Sequence, residues 1–400
     1  MELPAQPDLA RMRRERGVRL RSIMADKGID VLVLLTNSNV SYATGASWPL
    51  SDAGRANVER PVAVVVATDE SPHLFTPFRD DAASELDLDG DHLHGPLYPD
   101  FDEGVVAFSE VLAGLVPPGA TVAIDELTGV MHRSHDRFLP QWPPPAASEV
   151  MGAARFVKTA DELACIRHGL WITEQAMAEV QTQLNPGVRQ ADLTATFLHR
   201  VFELGAEANV LDPIWQVMPD HQADLPWTVH GDIAYPLLST ERELAEGDVL
   251  WVDTGIAYGG YHSDFGRTWI VGTGPTPRQR EQYRRWRAIS DAAVSALRAG
   301  ATGADITAAA REVAGAERPW MAHFYIAHGL GLESAESPYV GTDLGDAYDR
   351  RLVLEAGTVV VIEPIVWDEG HGGYRSENVY VVTDDGAVNL SDYPYDPYGD

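Results

Sequence analysis

A single cysteine, Cys165, stands among 400 residues, so neither an internal disulfide nor a thiolate-built metal site can form. Basic residues are scarce too: 30 against 60 acidic ones, for a formal net charge of -30. A field of that sign repels nucleic acid and anionic lipid and argues against both as partners. It keeps a chain soluble and mildly attracts cations, and it says nothing about fold. No run of 18 apolar residues occurs, so no membrane-spanning helix is expected. Residues 1–17 are polar and rich in arginine, with no apolar signal core behind them, and the expected location is the cytoplasm. Repeats at solenoid periods and long low-complexity tracts are also missing.

Hydrophobic residues make up 45% of the chain, enough for large cores in two or three domains. Residues 13–27 pattern as an amphipathic helix, leading through Gly28 into a nearly continuous apolar run at 29–35. Two further apolar strands are expected at 62–67 and 121–124, with a helix at 105–115. That alternation predicts an α/β layer over about 10–145. The run Pro143-Pro144-Pro145 is stiff and predicts a linker or its edge. Thr159, with Glu162 three residues on, has the form of a capping box opening a long helix. More helices are expected at 192–204, 277–298 and 304–314, and strands at 249–253, 268–271, 359–364 and 379–383. The expected fold class is therefore α+β, with an α/β domain over 1–155 and a second domain over 156–400. The tyrosine- and proline-rich end, 392–398, is expected to be loosely ordered.

Five residues in the second half share a pattern. Asp253 ends the apolar run Val249-Leu250-Trp251-Val252, and Asp264 follows a glycine-rich stretch suited to a hairpin that returns it beside Asp253. His328 lies in a glycine-flanked turn, Glu363 closes the run Val361-Ile362, and Glu377 opens the strand at Asn378-Val379. Each alone has an ordinary explanation as a turn former, loop histidine or strand terminus. Together, four carboxylates and an imidazole cannot be buried bare, because desolvation and mutual repulsion are both large. Two divalent cations would remove that cost. Oxygen-rich ligation with one imidazole suits Mn²⁺, Fe²⁺, Co²⁺ or Zn²⁺. A water bridging two such ions would ionise near neutral pH.

At these residues the chain resembles the creatinase/aminopeptidase P/prolidase superfamily, the M24 peptidases of pita-bread fold. The similarity is carried by Asp253-Thr254-Gly255, Tyr261-His262-Ser263-Asp264 with Arg267-Thr268 behind it, His328-Gly329-Leu330-Gly331, Ile362-Glu363-Pro364 and Arg375-Ser376-Glu377. The first half is similar to the creatinase-type amino-terminal domain at Gly28-Ile29-Asp30 and at residues 39–45. The resemblance implies a cytoplasmic homodimeric hydrolase, with two divalent ions, Mn²⁺ first among them, held by Asp253, Asp264, His328, Glu363 and Glu377. It implies that Asp264 and Glu377 bridge the ions and that Glu363 is the general base. Arg375 would hold a ligand carboxylate. Trp215, Trp227 and Trp251 are candidates for the pocket wall or the core.

Two departures bear on the reaction. The family's second histidine, seven residues past the ligand histidine, is Ala335 here, before Glu336. Its Pro-His ahead of the first aspartate is also absent, which leaves His230 as the candidate substrate-contact and catalytic histidine. Three activities follow: cleavage of Xaa-Pro bonds in small peptides, a hydrolase or lyase reaction on a small carboxylated metabolite, or a binding module without catalysis.

Overall fold

The structure, a computed structural model, describes residues 3–48, 59–224, 240–315 and 317–399. His230 and Trp227 lie outside the described residues. The chain forms two compact units. One holds Pro7–Arg155 with Thr159–Asp161; the other holds Phe156–Lys158, everything from Glu162 onward and the first six residues.

In the amino-terminal unit, the helix Leu9–Lys27 is capped by the Asp8 carboxylate, which accepts from the Arg11 amide, and it stops at Gly28 with φ 65°. Glycine reaches that left-handed conformation without a Cβ penalty. Five strands follow: β1 (Val31–Leu34), β2 (Val62–Val66), β3 (His73–Phe75), β4 (Leu93–His94) and β5 (Val122–Ile124). They form one mixed sheet in the order β4-β3-β2-β1-β5, with β1 parallel to β5 and antiparallel to β2. Strands β1, β2 and β5 are apolar and buried throughout because both faces are covered, and Phe108, Leu112 and Met131 from flanking helices complete the core. The proline run is not a linker. Ala146 bridges to Ile124 and the Pro145 carbonyl accepts from the Ile124 amide, so this stretch extends the sheet edge inside the unit.

The second unit contains β6 (Ala208–Val217), β7 (Val249–Tyr258), β8 (Tyr261–His262), β9 (Phe265–Ile270), β10 (Ala327–Gly329), β11 (Glu336–Val340), β12 (Val359–Ile362), β13 (Ile365–Trp367), β14 (Gly373–Arg375), β15 (Asn378–Val382) and β16 (Ala387–Asn389). One sheet runs β6-β7-β8 with β9 also on β7; another runs β11-β10-β12-β15-β16; β13 and β14 form a separate hairpin. Helices Ala160–Thr182 and Gln190–Glu203 bury Ile172, Met177 and Phe197 against Trp215 and Trp269. Helix Pro277–Ser295 starts at a complete capping box of Thr276 and Gln279, with proline in its first turn, where no amide is needed. It buries Trp286 and Ile289 against Val360 and Ile362. No helix among the described residues is long and apolar enough to cross a membrane.

Three local expectations differ from what is observed. The strand at Asp253 does not end there but continues to Tyr258, so the aspartate sits in mid-strand. His328 lies in strand β10 rather than a turn. The chain end is packed, with Tyr393 and Tyr398 buried. Its anchor is the buried Arg267, whose guanidinium donates to the carbonyls of Tyr393 and Pro394 and lies 4.6 Å from the Tyr395 ring.

Candidate metal centre

Strand pairing in the second unit brings the five candidate residues together. Asp253 on β7 faces Gly266 on β9, and Asp264 immediately precedes β9. On the other sheet His328 pairs with Val361, and Glu363 lies two residues further along the same chain. The strand period of two puts Glu363 on the face that carries His328's neighbour Val361. Ile362 pairs with Asn378, so the residues just beyond that pair, Glu363 and Glu377, meet at the strand ends. Arg375 closes β14 opposite Ile365.

The distances are short. His328 Nε2 is 3.2 Å from Asp264 Oδ2 and 3.4 Å from Glu363 Oε1, while its Nδ1 lies 2.9 Å from the Gly329 carbonyl. That contact fixes Nδ1 as the protonated nitrogen and leaves a lone pair on Nε2. Oxygens of Asp253, Asp264 and Glu377 lie within 4.8 Å of one another. The Arg375 guanidinium is 2.9 Å from both Asp253 Oδ2 and Glu363 Oε2, and it also pairs with Glu377. All six side chains are buried. Trp251, two residues before Asp253, has its ring 4.9 Å from the Arg375 guanidinium carbon.

Gly266 makes the arrangement possible. A Cβ there would stand 2.0 Å from Arg375 Nη1 and 2.9 Å from Glu377 Cδ. The guanidinium occupies the space a side chain would take. Thr268, next in line on β9, clasps the Arg375 backbone with its hydroxyl, donating to the carbonyl and accepting from the amide.

Burial pushes the Asp253 and Glu363 carboxyls up, against the pull of Arg375. It pushes Asp264 and Glu377 further; at Asp264 the neighbouring Asp253 and Glu363 charges add to it. Four carboxylates face one guanidinium, so three negative charges are left when all are ionised. Asp253 Oδ1 and Glu377 Oε1 are buried and accept no hydrogen bond from the described residues. Orphaned buried oxygens beside uncompensated charge are what a divalent cation satisfies, and an oxygen-rich donor set with one imidazole fits the harder transition ions.

Residues 164–384 match the family described as Metallopeptidase family M24. The chain belongs to that family. In this M24 peptidase, residues 16–143 also match the Creatinase/Prolidase N-terminal domain. The "Probable dipeptidase PepE" of Mycobacterium tuberculosis is 30% identical over 93% of this chain and 92% of its own length. The "Xaa-Pro dipeptidase" of Pyrococcus horikoshii is 25% identical over 94% of this chain and 97% of its own length. The crystal structure of dipeptidase PepE from Mycobacterium ulcerans superposes with a TM-score of 0.73 at 26% identity, covering 98% of each chain. The M24 chain has the pita-bread fold with a creatinase-type amino-terminal domain, and it is a metallopeptidase.

Two further features have no local sequence signal. Tyr325 has its ring centroid 5.0 Å from that of His328. Burial, then the charges of Glu363 and Asp264, push its phenol well above the ordinary range, so it lies within their field. It lies three residues ahead of His328 and outside β10, a spacing that by itself says nothing about contact. The other feature is the anchoring around Ala335. Glu336 is buried and paired with Lys158 at 2.9 Å, and Ser334 Oγ is 3.0 Å from His262 Nδ1. These two side-chain contacts anchor the loop on either side of Ala335. Trp215 stacks on Trp269 in the core, away from the role of pocket wall.

Proposed function

We propose that this chain is a dinuclear-metal Xaa-Pro peptidase, a dipeptidase or an aminopeptidase P-like enzyme, with residues 156–400 as its catalytic domain. One observation carries the reading: Asp253, Asp264, His328, Glu363 and Glu377 converge in a buried place where Arg375 leaves three negative charges. Asp253, Asp264, His328, Glu363 and Glu377 would together hold the two ions. Two divalent ions turn the local charge positive; when bound they polarise the scissile carbonyl and supply an ionised water. Mn²⁺ is the ion we assign first, with Co²⁺, Fe²⁺ or Zn²⁺ as alternatives. The cytoplasm is the assigned compartment and a homodimer the assigned assembly.

The chain's own residues set up the proton transfer. Arg375 Nη2 holds Glu363 Oε2 at 2.9 Å, which orients the carboxylate and leaves Oε1 toward His328. Glu363 Oε1 then takes the proton of the attacking water and returns it to the leaving nitrogen of proline. The relatives support the substrate class, since one is named an Xaa-Pro dipeptidase and another a probable dipeptidase.

Metal-loaded protein should hydrolyse Gly-Pro or Ala-Pro, and Glu363→Gln, which removes the proposed base and one ligand charge, should lower kcat about 10²- to 10⁴-fold and weaken metal retention. No turnover across an Xaa-Pro panel would reject the peptidase assignment. Ala335, where the family places a substrate-contact histidine, favours a second reading: a hydrolase or lyase acting on a small carboxylated metabolite. A metabolite mixture incubated with protein and Mn²⁺, read by mass spectrometry, separates the two. His230→Ala tests the remaining histidine, with a selective loss of kcat expected if it contacts substrate.

A further inference from the structure

A second group of ligand-type side chains lies in the amino-terminal unit, at the β3–β4 edge of its sheet. Asp69 follows β2 in the turn before β3, His73 opens β3, His92 ends the short helical turn Gly90–His92, and His94 ends β4. Ligand atoms of Asp69, His73 and His92 lie within 4.8 Å of one another. His73 Nε2 is 3.1 Å from Asp69 Oδ2. Ligands standing about 2.0–2.1 Å from a tetrahedral zinc ion are separated by about 3.3 Å.

The remaining ring nitrogens separate this group from a chance meeting of histidines. His92 Nδ1 is 2.6 Å from Asp89 Oδ1, and His73 Nδ1 is 3.0 Å from His94 Nε2. A partner that accepts from Nδ1–H fixes the tautomer whose lone pair is on Nε2, as the outer partners of metal-bound histidines do. The His94 ring, stacked on Phe75 with centroids 4.6 Å apart, is held with its Nε2 facing His73 Nδ1.

We propose that Asp69 Oδ2, His73 Nε2 and His92 Nε2 form a metal site separate from the centre around Arg375, with Asp89 and His94 orienting the two imidazoles. Two imidazoles and one carboxylate suit zinc, with a water in the fourth position. His73 is buried while Asp69 and His92 are half-buried, so an ion can enter from solvent. The ion would tie the turn after β2 to the short strand β4, clipping a sheet edge that has only two residues of pairing. Its role is structural, and it stands whether or not the assignment of the other centre holds.

The test uses the full-length protein, stripped with chelator, dialysed against Zn²⁺ and counted by inductively coupled plasma mass spectrometry. The native protein should carry one zinc equivalent more than His92→Ala, and peptidase turnover should be the same in both. Asp89→Asn, at an exposed position, should weaken that equivalent about 10- to 100-fold in calorimetric titration. Equal zinc content in the native protein and His92→Ala overturns the proposal. If circular dichroism shows that His92→Ala misfolds, Asp69→Asn replaces it and the same one-equivalent loss is required. The count is a difference between proteins that share the other centre, so the occupancy of that centre cancels.

Discussion

At Arg375 a buried guanidinium touches Asp253, Glu363 and Glu377 at once. In protein without metal it is the nearest positive charge these carboxylates have. Arg375→Met keeps much of the volume and removes the charge. Unfolding of the chelator-stripped variant by urea should show a loss of about 3–5 kcal/mol, because buried charges lose their partner. The loss should shrink when Mn²⁺ is added, since the ions then neutralise the same oxygens. Glu174, away from the centre, gives a pH-dependent test. Burial pushes its carboxyl up to about 7, although the Asp392 amide donates to it at 2.7 Å. A raised folded-state pKa contributes stability below the unfolded value of 4.5, and that stability is lost as pH rises toward about 7. Glu174→Gln keeps an acceptor and cannot ionise. Relative to native protein it should be more stable by roughly 2–3 kcal/mol at pH 8, with little difference near pH 4, measured by denaturant titration at each pH.

Among the elements, strand β9 does most to define the centre, through what it lacks. Gly266 faces Asp253 and leaves room for Arg375, and Thr268 holds the backbone of that arginine. Gly266→Ala would force the guanidinium out of its place. Overpacking of this kind costs about 1–3 kcal/mol. We expect a lower Tm and reduced Mn²⁺ content in the purified variant, both measurable on one preparation. The loop between β10 and β11 shows the reverse case. Its Glu336–Lys158 pair and the Ser334–His262 contact flank Ala335 on both sides and anchor the loop. Pattern reading located most elements, since helix and strand periods are local. It misplaced the strand end at Asp253 and put His328 in a turn, because glycine and aspartate favour turns in isolation and here pairing with β9 and β12 holds them extended.

For the molecule as a whole, metal and fold should be linked. Anything that binds the native state alone stabilises it, by about 2.7 kcal/mol when its concentration is a hundred times its dissociation constant. Chelation should therefore lower the Tm in scanning calorimetry, and Mn²⁺ should restore it together with Gly-Pro hydrolysis. A Tm indifferent to chelation, in protein shown by elemental analysis to have lost its metal, would mean the carboxylates are neutralised by protons instead. The chain end belongs to this scale. Residues 392–398 look like a tail in isolation, being short, terminal and broken by proline. The anchoring donors come from Arg267, more than a hundred residues earlier, and no local pattern reports that contact.

The amino-acid sequence alone determined the family, the two-part α/β and α+β organisation and the five residues that meet at the centre. Each of these is written in short contiguous segments whose residue types and order carry the information. Only the tertiary structure decided that Arg375 sits among three of the four carboxylates, that Gly266 is the gap it enters, that the end of the chain is packed and that three histidines gather at one sheet edge. Those facts depend on which strands pair and in what register. Pairing joins residues far apart in the chain, where no periodicity or motif can connect them.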